Sequence, residues 1–493
     1  MNIHIVKQPE FAAVFTLPSP AMDHSGIGHL VEHLVFRTST LFPERHNLFA
    51  LTSITRCKMN ASTTGDKSYY FVQANTAEDL LLLIEYLYAG LMTHTYAACD
   101  IEQEKSVIQH ELAFYAKHPA YQRQSQIWRG DQHPDAYQHW GGFPDMLAQI
   151  TAHDVYTYKS QYYQDSALTI IASGITEADI YHVSRRVRNK LSVQNEQVLK
   201  SIKRPIIYQI KSVNIVENET TTSKIFSWWL PAQYQKSVQA QLPIWQTQWP
   251  ELYIEEELNH RGMFAIRYLC EASIQSFTTW VRQQVVTAEP QLTTIEQFPE
   301  CIQTLLAHEL LNNDIAVYGA LQSAAPNSHQ LDHQDLANIS TSSISQLIGE
   351  PNISYLAKLP DHMVLKTAPI DSPKLPTATH FESPTIIKRF TDTVDCILGS
   401  YQPRTIALLL EDMGDDAFYI KQDMWVIKES DIPPETMTAI CQSAAFWAPR
   451  IQGQLYTMGV FEKGGLFYIW GVGDNNPADN MAYMLGLIRS NRH

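Results

Sequence analysis

The sequence contains no apolar run long enough to cross a bilayer. Its most apolar stretch, residues 80–92, spans about 13 positions and carries Glu85, against the roughly 20 apolar residues of a spanning helix. The opening residues, MNIHIVKQPEF, show no long apolar segment of the kind a secretory signal needs. Cysteine is scarce, with six in 493 residues and no Cys-x-x-Cys pair. Such scattered thiols fit a reducing environment, so the expected compartment is the cytoplasm and no membrane partner is expected. Positive charge is in short supply as well. Lys and Arg number 36 against 51 Asp and Glu, a net charge of −15, which argues against nucleic acid as a partner because phosphate binding needs clustered cations. Gly26-Ile27-Gly28 lacks the third glycine and the preceding βαβ context of a nucleotide loop, and reads as a turn into a helix. The sequence shows no short tandem repeat.

What is present is ordinary globular composition, 45% hydrophobic and 18% charged, in a chain long enough for two to four domains of roughly 100–200 residues. Apolar and β-branched runs predict strands at 2–6, 11–16, 69–73 and 167–172. Helical spacing predicts helices from Gly28 onward and at 78–92, 101–117 and 151–163. This mixture predicts an α+β domain over residues 1–200. A charged break at 195–204 leads to a middle domain at 205–367, with strands expected at 206–210 and 224–230 and a largely helical stretch at 243–322. Residues 324–335, and 368–384 with its four prolines, read as linker, and a last α/β domain is expected over 385–493. Trp228, Trp229, Trp245 and Trp249 are expected in a core or an interface rather than on a nucleic-acid platform.

One motif carries chemistry. His29-Leu30-Val31-Glu32-His33 sets two histidines four apart, so both imidazoles share one helical face and can hold one metal ion. Glu32 lies beside His29, close enough to polarise a water on that metal without being a ligand. Zinc lowers the pKa of its water and a carboxylate takes the proton. With 19 His and 51 acidic residues, about 0.08 such spacings are expected by chance.

A catalytic zinc needs a third protein ligand and an open position. The helix predicted at 101–117 offers Glu104 and Glu111, seven apart on one face, with His110 beside them. Spacing does not choose among the three. One glutamate can bind metal while the other orients a ligand histidine. His329, Asp332 and His333 echo the first motif formally, but they stand in a polar stretch without an apolar helical stripe and read as solvated loop.

The run DHSGIGHLVEHLVF, then NASTTGDKSYYF at 60–71 and IEQEKSVIQHEL at 101–112, resembles the pitrilysin/insulysin family of inverzincin zinc metallopeptidases. The stretch TLFPERHNLFALTSITRCKMNAST is most similar to the presequence-protease branch, and HPDAYQHWGGFPDMLAQITAHDVYTYKSQYY resembles the end of the family's first domain. The likeness runs in order from residue 23 to about 174. It implies a pitrilysin-type fold of helices on a mixed sheet, one zinc per chain held by His29, His33 and Glu111, Glu32 as general base and Glu104 as the supporting acid. It further implies that Asn60, Ala61 and Thr63 lie on an edge strand that pairs with substrate backbone, which suits an extended peptide because main-chain hydrogen bonds are indifferent to side chains. One position departs: the family usually has glycine in the turn after the motif helix, and this chain has Thr38.

Near the other end, Arg450-Ile451-Gln452-Gly453-Gln454-Leu455-Tyr456 followed by GGLFYIWGVGDNNP resembles the family's last-domain Arg and Tyr, which implies that Arg450 and Tyr456 stabilise an oxyanion. Residues 235–385 match nothing in the family, and the whole is about half the length of the presequence branch, which implies shortened later domains. The expected function is a zinc-dependent endopeptidase acting on peptides or small unfolded segments, including the case of a specialised maturation protease, with dimerisation to a second copy or a related half expected to complete its chamber. The alternative is a non-catalytic peptide-binding or scaffold subunit of a pitrilysin-type complex.

Overall fold

The stretch FAAVFTLP, apolar almost throughout, is the signature of a strand covered on both faces, and that strand is the centre of the first sheet. In this computed structural model, the described residues are 1–43, 45, 57–63, 67–130, 139–195, 224–231, 234–254, 263–270, 275–286, 301, 302, 305, 342–343, 352–355 and 404–491. Strands β1 (Asn2–Ile5), β2 (Phe11–Pro18), β3 (Lys58–Thr63), β4 (Lys67–Ala74) and β5 (Thr169–Ser173) form a sheet in the order β1-β5-β2-β4-β3. Only β1 and β5 run parallel; the other pairs are antiparallel, with Ala61 opposite Tyr70 and Thr63 opposite Ser68.

Alternation along β2 sends Ala13, Phe15 and Leu17 to one face and Ala12 and Val14 to the other. The first face is covered by helices α1 (Ile27–Arg37), α2 (Ala77–Met92) and, further along, α3 (Ala98–Tyr115), α4 (Pro119–Gly130), α5 (Ala152–Tyr162) and α6 (Glu177–Asn195). The second face meets Cys301, Ile302 and Leu305. Thr76 caps α2 and Thr151 opens α5 with a reciprocal capping box to Asp154. Thr38, the cap of α1, is extended at φ −150°, a conformation open to any residue, so no glycine is needed there.

In the middle stretch, expected to be largely helical over 243–322, the described residues include strands β7 (Leu252–Ile254) and β8 (Met263–Cys270) beside helix, and these strands join β6 (Lys224–Pro231) and β11 (Asn352–Tyr355) in a sheet ordered β11-β6-β8-β7. The physical reason is period two: Phe264, Ile266 and Tyr268 alternate onto one apolar cluster with Trp228, Trp245 and Phe277. Helices α7 (Gln235–Gln248) and α8 (Gln275–Val281) flank it, and β9 (Val285–Val286) pairs with β10 (Ser342–Ser343). Trp228 and Trp245 are core, Trp249 packs on that core, and Trp229 packs against the Trp128–Phe143 cluster. The expectations for 206–210, 324–335 and 368–384, and the pair His329 and His333, fall outside the described residues.

A third sheet, β12 (Phe418–Lys421), β13 (Met424–Glu429), β15 (Leu466–Asp474) and β14 (Leu455–Lys463) in that order, is antiparallel throughout. Helices α9 (Arg404–Met413), α10 (Pro434–Cys441), α11 (Ala444–Ile451) and α12 (Pro477–Ser490) accompany it. Its apolar residues, among them Trp425, Trp447 and Met484, continue the cluster that begins at Ala13 and Phe15, and α3 lies against β14 and β15. This contact brings the two ends of the chain to one site. No helix among the described residues is long and apolar enough to cross a membrane.

Candidate metal centre and active site

Gly26 precedes α1 with φ +71°, and a Cβ there would stand 2.7 Å from the Gly141 carbonyl oxygen and from Gly142 Cα. Only glycine fits, so the start of α1 is pressed against the loop at 139–143. The consequence is chemical. The Gly141 oxygen lies 3.2 Å from His29 Nδ1, and since a carbonyl only accepts, Nδ1 carries the proton and Nε2 presents its lone pair.

His33, one turn further, has Nδ1 3.1 Å from Glu104 Oε2. Burial opposes ionisation of Glu104, but Arg450, His33 and Arg37 outweigh it and hold the carboxyl well below the usual range. His33 Nδ1 therefore donates as well. Both Nε2 atoms face Glu111 Oε2, each at 3.5 Å, with ring centroids 4.8 Å apart at 89°. The three ligand atoms of His29, His33 and Glu111 lie within 4.8 Å of one another.

Glu111 Oε2 is buried and has no hydrogen-bond partner, because 3.5 Å exceeds the usual 2.7–3.2 Å of such bonds. Burial raises the pKa of that carboxyl, yet His29 and His33 hold it ionised, well below its ordinary value. For His33, burial works against the charge, but the hydrogen bond to Glu104 and the nearby Glu111 carboxylate raise its pKa to about 9. Donors held at about 2.1 Å by a tetrahedral ion stand roughly 3.4 Å apart, close to the 3.5 Å from each Nε2 to Glu111 Oε2. An orphaned carboxylate oxygen facing two oriented imidazoles suits a divalent cation, and this set of two nitrogens and one oxygen fits zinc.

Glu32 shares the helix. Burial raises its pKa, partly offset by His29, His33 and a hydrogen bond from Thr63. Thr63 Oγ1 donates to Glu32 Oε2 and lies 2.9 Å from Ser68 Oγ, which accepts from the Tyr163 hydroxyl at 3.3 Å. Thr63, expected on the substrate side, thus turns its side chain inward to Glu32. Asn60 and Ala61 lie on β3, the outer strand of the sheet among the described residues. The Ala61 N–H is held by Asn60 Oδ1 at 2.9 Å.

Of the three candidates on α3, the structure brings Glu104 and Glu111 to the histidines and turns His110 away. His110 is buried with its Nε2 3.1 Å from the Gly453 carbonyl oxygen, and burial lowers its pKa. Arg450 and Tyr456 both arrive at the site. Arg450, expected at a substrate carbonyl, lies with Nη1 and Nη2 at 3.1 and 3.2 Å from the two oxygens of Glu104. Tyr456 shares a hydrogen bond with Tyr115 near Glu111, and burial with that carboxylate's charge raises its pKa. Arg37 escaped the sequence reading. It donates to Asp100 at 2.7 Å and to Glu104 Oε1 at 2.6 Å, and its signal was a lone cation four residues after His33 on an apolar helix.

Part of this chain is similar to known proteins. Residues 21–138 match the model of the insulinase family, peptidase family M16, so the family likeness covers α1, β3, β4 and α3. The probable zinc protease PqqL of Haemophilus influenzae is 23% identical over 222 residues, 41% of this chain and 23% of that protein's length. This chain therefore aligns with about a quarter of that relative. Among solved structures, a protease from Helicobacter pylori superposes with a TM-score of 0.40 at 14% identity, over 65% of this chain and 83% of that one. Pitrilysin gives 0.38 at 12% identity, over 99% and 61%. The first half of the periplasmic protease PqqL from Escherichia coli gives 0.37 at 15%, over 68% and 82%.

Proposed function

We propose that the chain is a zinc-dependent endopeptidase of the HxxEH type, close to the presequence-protease branch, acting on peptides or short unfolded segments. The observation that carries this is the convergence of His29 Nε2, His33 Nε2 and an unpartnered Glu111 Oε2, with both imidazoles oriented from behind. When bound by these three residues, zinc supplies Lewis-acid activation of water and of the peptide carbonyl. Glu32, fixed at Oε2 by Thr63, accepts the proton at Oε1 and passes it to the leaving amine. An extended peptide adds to β3, displacing Asn60 Oδ1 from the Ala61 N–H. Tyr456 donates its hydroxyl to the developing oxyanion, and Arg450 contributes charge nearby.

We assign the zinc site to residues 1–200, a middle unit to 205–367 and the Arg450/Tyr456 unit to 385–493. A second copy or a related half is the proposed partner that encloses the peptide. The scattered cysteines, six in 493 residues with no Cys-x-x-Cys pair, support the cytoplasm as compartment.

The test is metal analysis and a peptide-library digest of the purified protein beside Glu32→Gln. About one zinc per chain in both, with cleavage lost by two or more orders of magnitude in the variant, is expected. Peptides bound but uncut by wild type would give instead the non-catalytic subunit. Wild type purified without chelator that takes up no zinc overturns the reading.

A further inference from the structure

Glu104 is the meeting point of three donor side chains, two guanidinium groups and one imidazole. Its carboxylate, 1% exposed, accepts from Arg37 Nη1 at 2.6 Å, from His33 Nδ1 at 3.1 Å, and from both Nη atoms of Arg450. Arg37 and His33 belong to α1. Arg450 comes from the end of α11, 346 residues further along the chain. Both carboxylate oxygens are thus bonded by one guanidinium that comes from outside α1 and α3.

The turn after Arg450 is docked on α3 as closely as backbone allows. Ile451 O accepts from Arg37 Nη2 at 2.9 Å, and Gly453 O accepts from Ser106 Oγ at 2.7 Å and His110 Nε2 at 3.1 Å. Gly453 has φ +72°, and a Cβ on it would stand 2.7 Å from the Gln103 carbonyl oxygen. The turn therefore lies flat against the helix that carries Glu104 and Glu111.

We infer that Arg450 is a positioning residue of the metal centre, acting through Glu104 on the orientation of His33, so that the docking of the C-terminal part and the grip on the metal are one equilibrium. A guanidinium fork fixes a carboxylate in two directions where a point charge fixes it in one. A carboxylate so fixed aims the His33 Nδ1–H bond, and with it the Nε2 lone pair. Coupling of this kind is reciprocal: zinc that is held better in the docked state must strengthen docking by the same factor.

This rests on the zinc reading above, and the experiment separates the two. Zinc affinity is measured by chelator competition for the full chain and for Arg450→Lys, which keeps the charge and loses the fork. A loss of about tenfold is expected, at the low end of the 10–100-fold range for groups that orient a ligand. In a Glu104→Gln background the same substitution should add nothing, the mark of two residues acting as one. Gly453→Ala, which forces the turn off α3 without touching a charged group, should weaken zinc as well. Amide exchange of residues 451–456 should slow when zinc is added. Wild type that binds no zinc removes the reading beneath the inference. Wild-type affinity in a folded Arg450→Lys, or losses that add in the Glu104→Gln background, overturns the inference alone.

Discussion

The Thr63 hydroxyl donates to the Glu32 carboxylate, so the last residue of an edge strand holds the proposed base from behind. Thr63 is 2% exposed and in turn is bonded to Ser68. The strand proposed to bind the peptide and the group proposed to take the proton are thereby fixed to each other. Thr63→Val keeps the shape and removes the donor. It should lower kcat about tenfold or more with zinc content unchanged, while Thr63→Ser should restore most of the loss, as measured on a fluorogenic peptide. Equal kcat in wild type and Thr63→Val would free Glu32 from Thr63.

The two glutamates of α3 should separate in a metal titration. Glu111→Gln removes a ligand charge and should lose zinc almost completely, as should His33→Ala. Glu104→Gln should lower affinity about 10–100-fold. Equal zinc contents would show that the ligand roles are misassigned.

Tyr456→Phe should reduce kcat by about 10–1,000-fold with a much smaller change in KM, because a phenol aimed at an oxyanion acts in the transition state. Tyr456 stands by Glu111 of its own chain, so mixing Glu32→Gln with Tyr456→Phe chains should restore no activity. Recovery on mixing would mean that sites are completed between chains.

Asp474, opposite Leu455 on the neighbouring strand, gives a pH signature of its own. It is 1% exposed, and burial raises its pKa to about 6, against the bonds it accepts from the Asn476 N–H, Trp425 and Asn480. A raised folded pKa means the folded state binds the proton more tightly. Its contribution is full below about pH 4 and is lost as pH rises through about 6. At roughly 1.4 kcal/mol per pKa unit, the swing is about 3 kcal/mol. The stability of Asp474→Asn relative to wild type should therefore improve between pH 4 and 7, read as the difference in urea midpoints, and a difference independent of pH would refute the assignment.

The helix of His29, Glu32 and His33 is legible in sequence because three polar residues recur at helical spacing in an otherwise apolar segment, and an α+β class follows from the alternating runs around it. The choice among Glu104, His110 and Glu111 is not, since all three share one helix and only the rotation of α3 against α1 and β14 decides which of them meets the histidines. The inward turn of Thr63 depends on cross-strand register, and the partners of Arg37 and Arg450 depend on contacts more than 60 and 340 residues away in sequence. In the middle stretch, the alternation at Phe264, Ile266 and Tyr268 is the signal for strand β8 that a largely helical reading passes over.

Gly26 and Gly142 face each other with no room for a methyl group between them; a Cβ on either would fall within 3 Å of the other's backbone. Their packing sets the height of the Gly141 carbonyl, and through it the side of His29 on which the proton resides. The tautomer of one imidazole is thus written into two residues that own no side chain. A saturation scan would score both positions as intolerant as the histidine itself, and a chemist reading that scan for reactive groups would find hydrogen atoms alone.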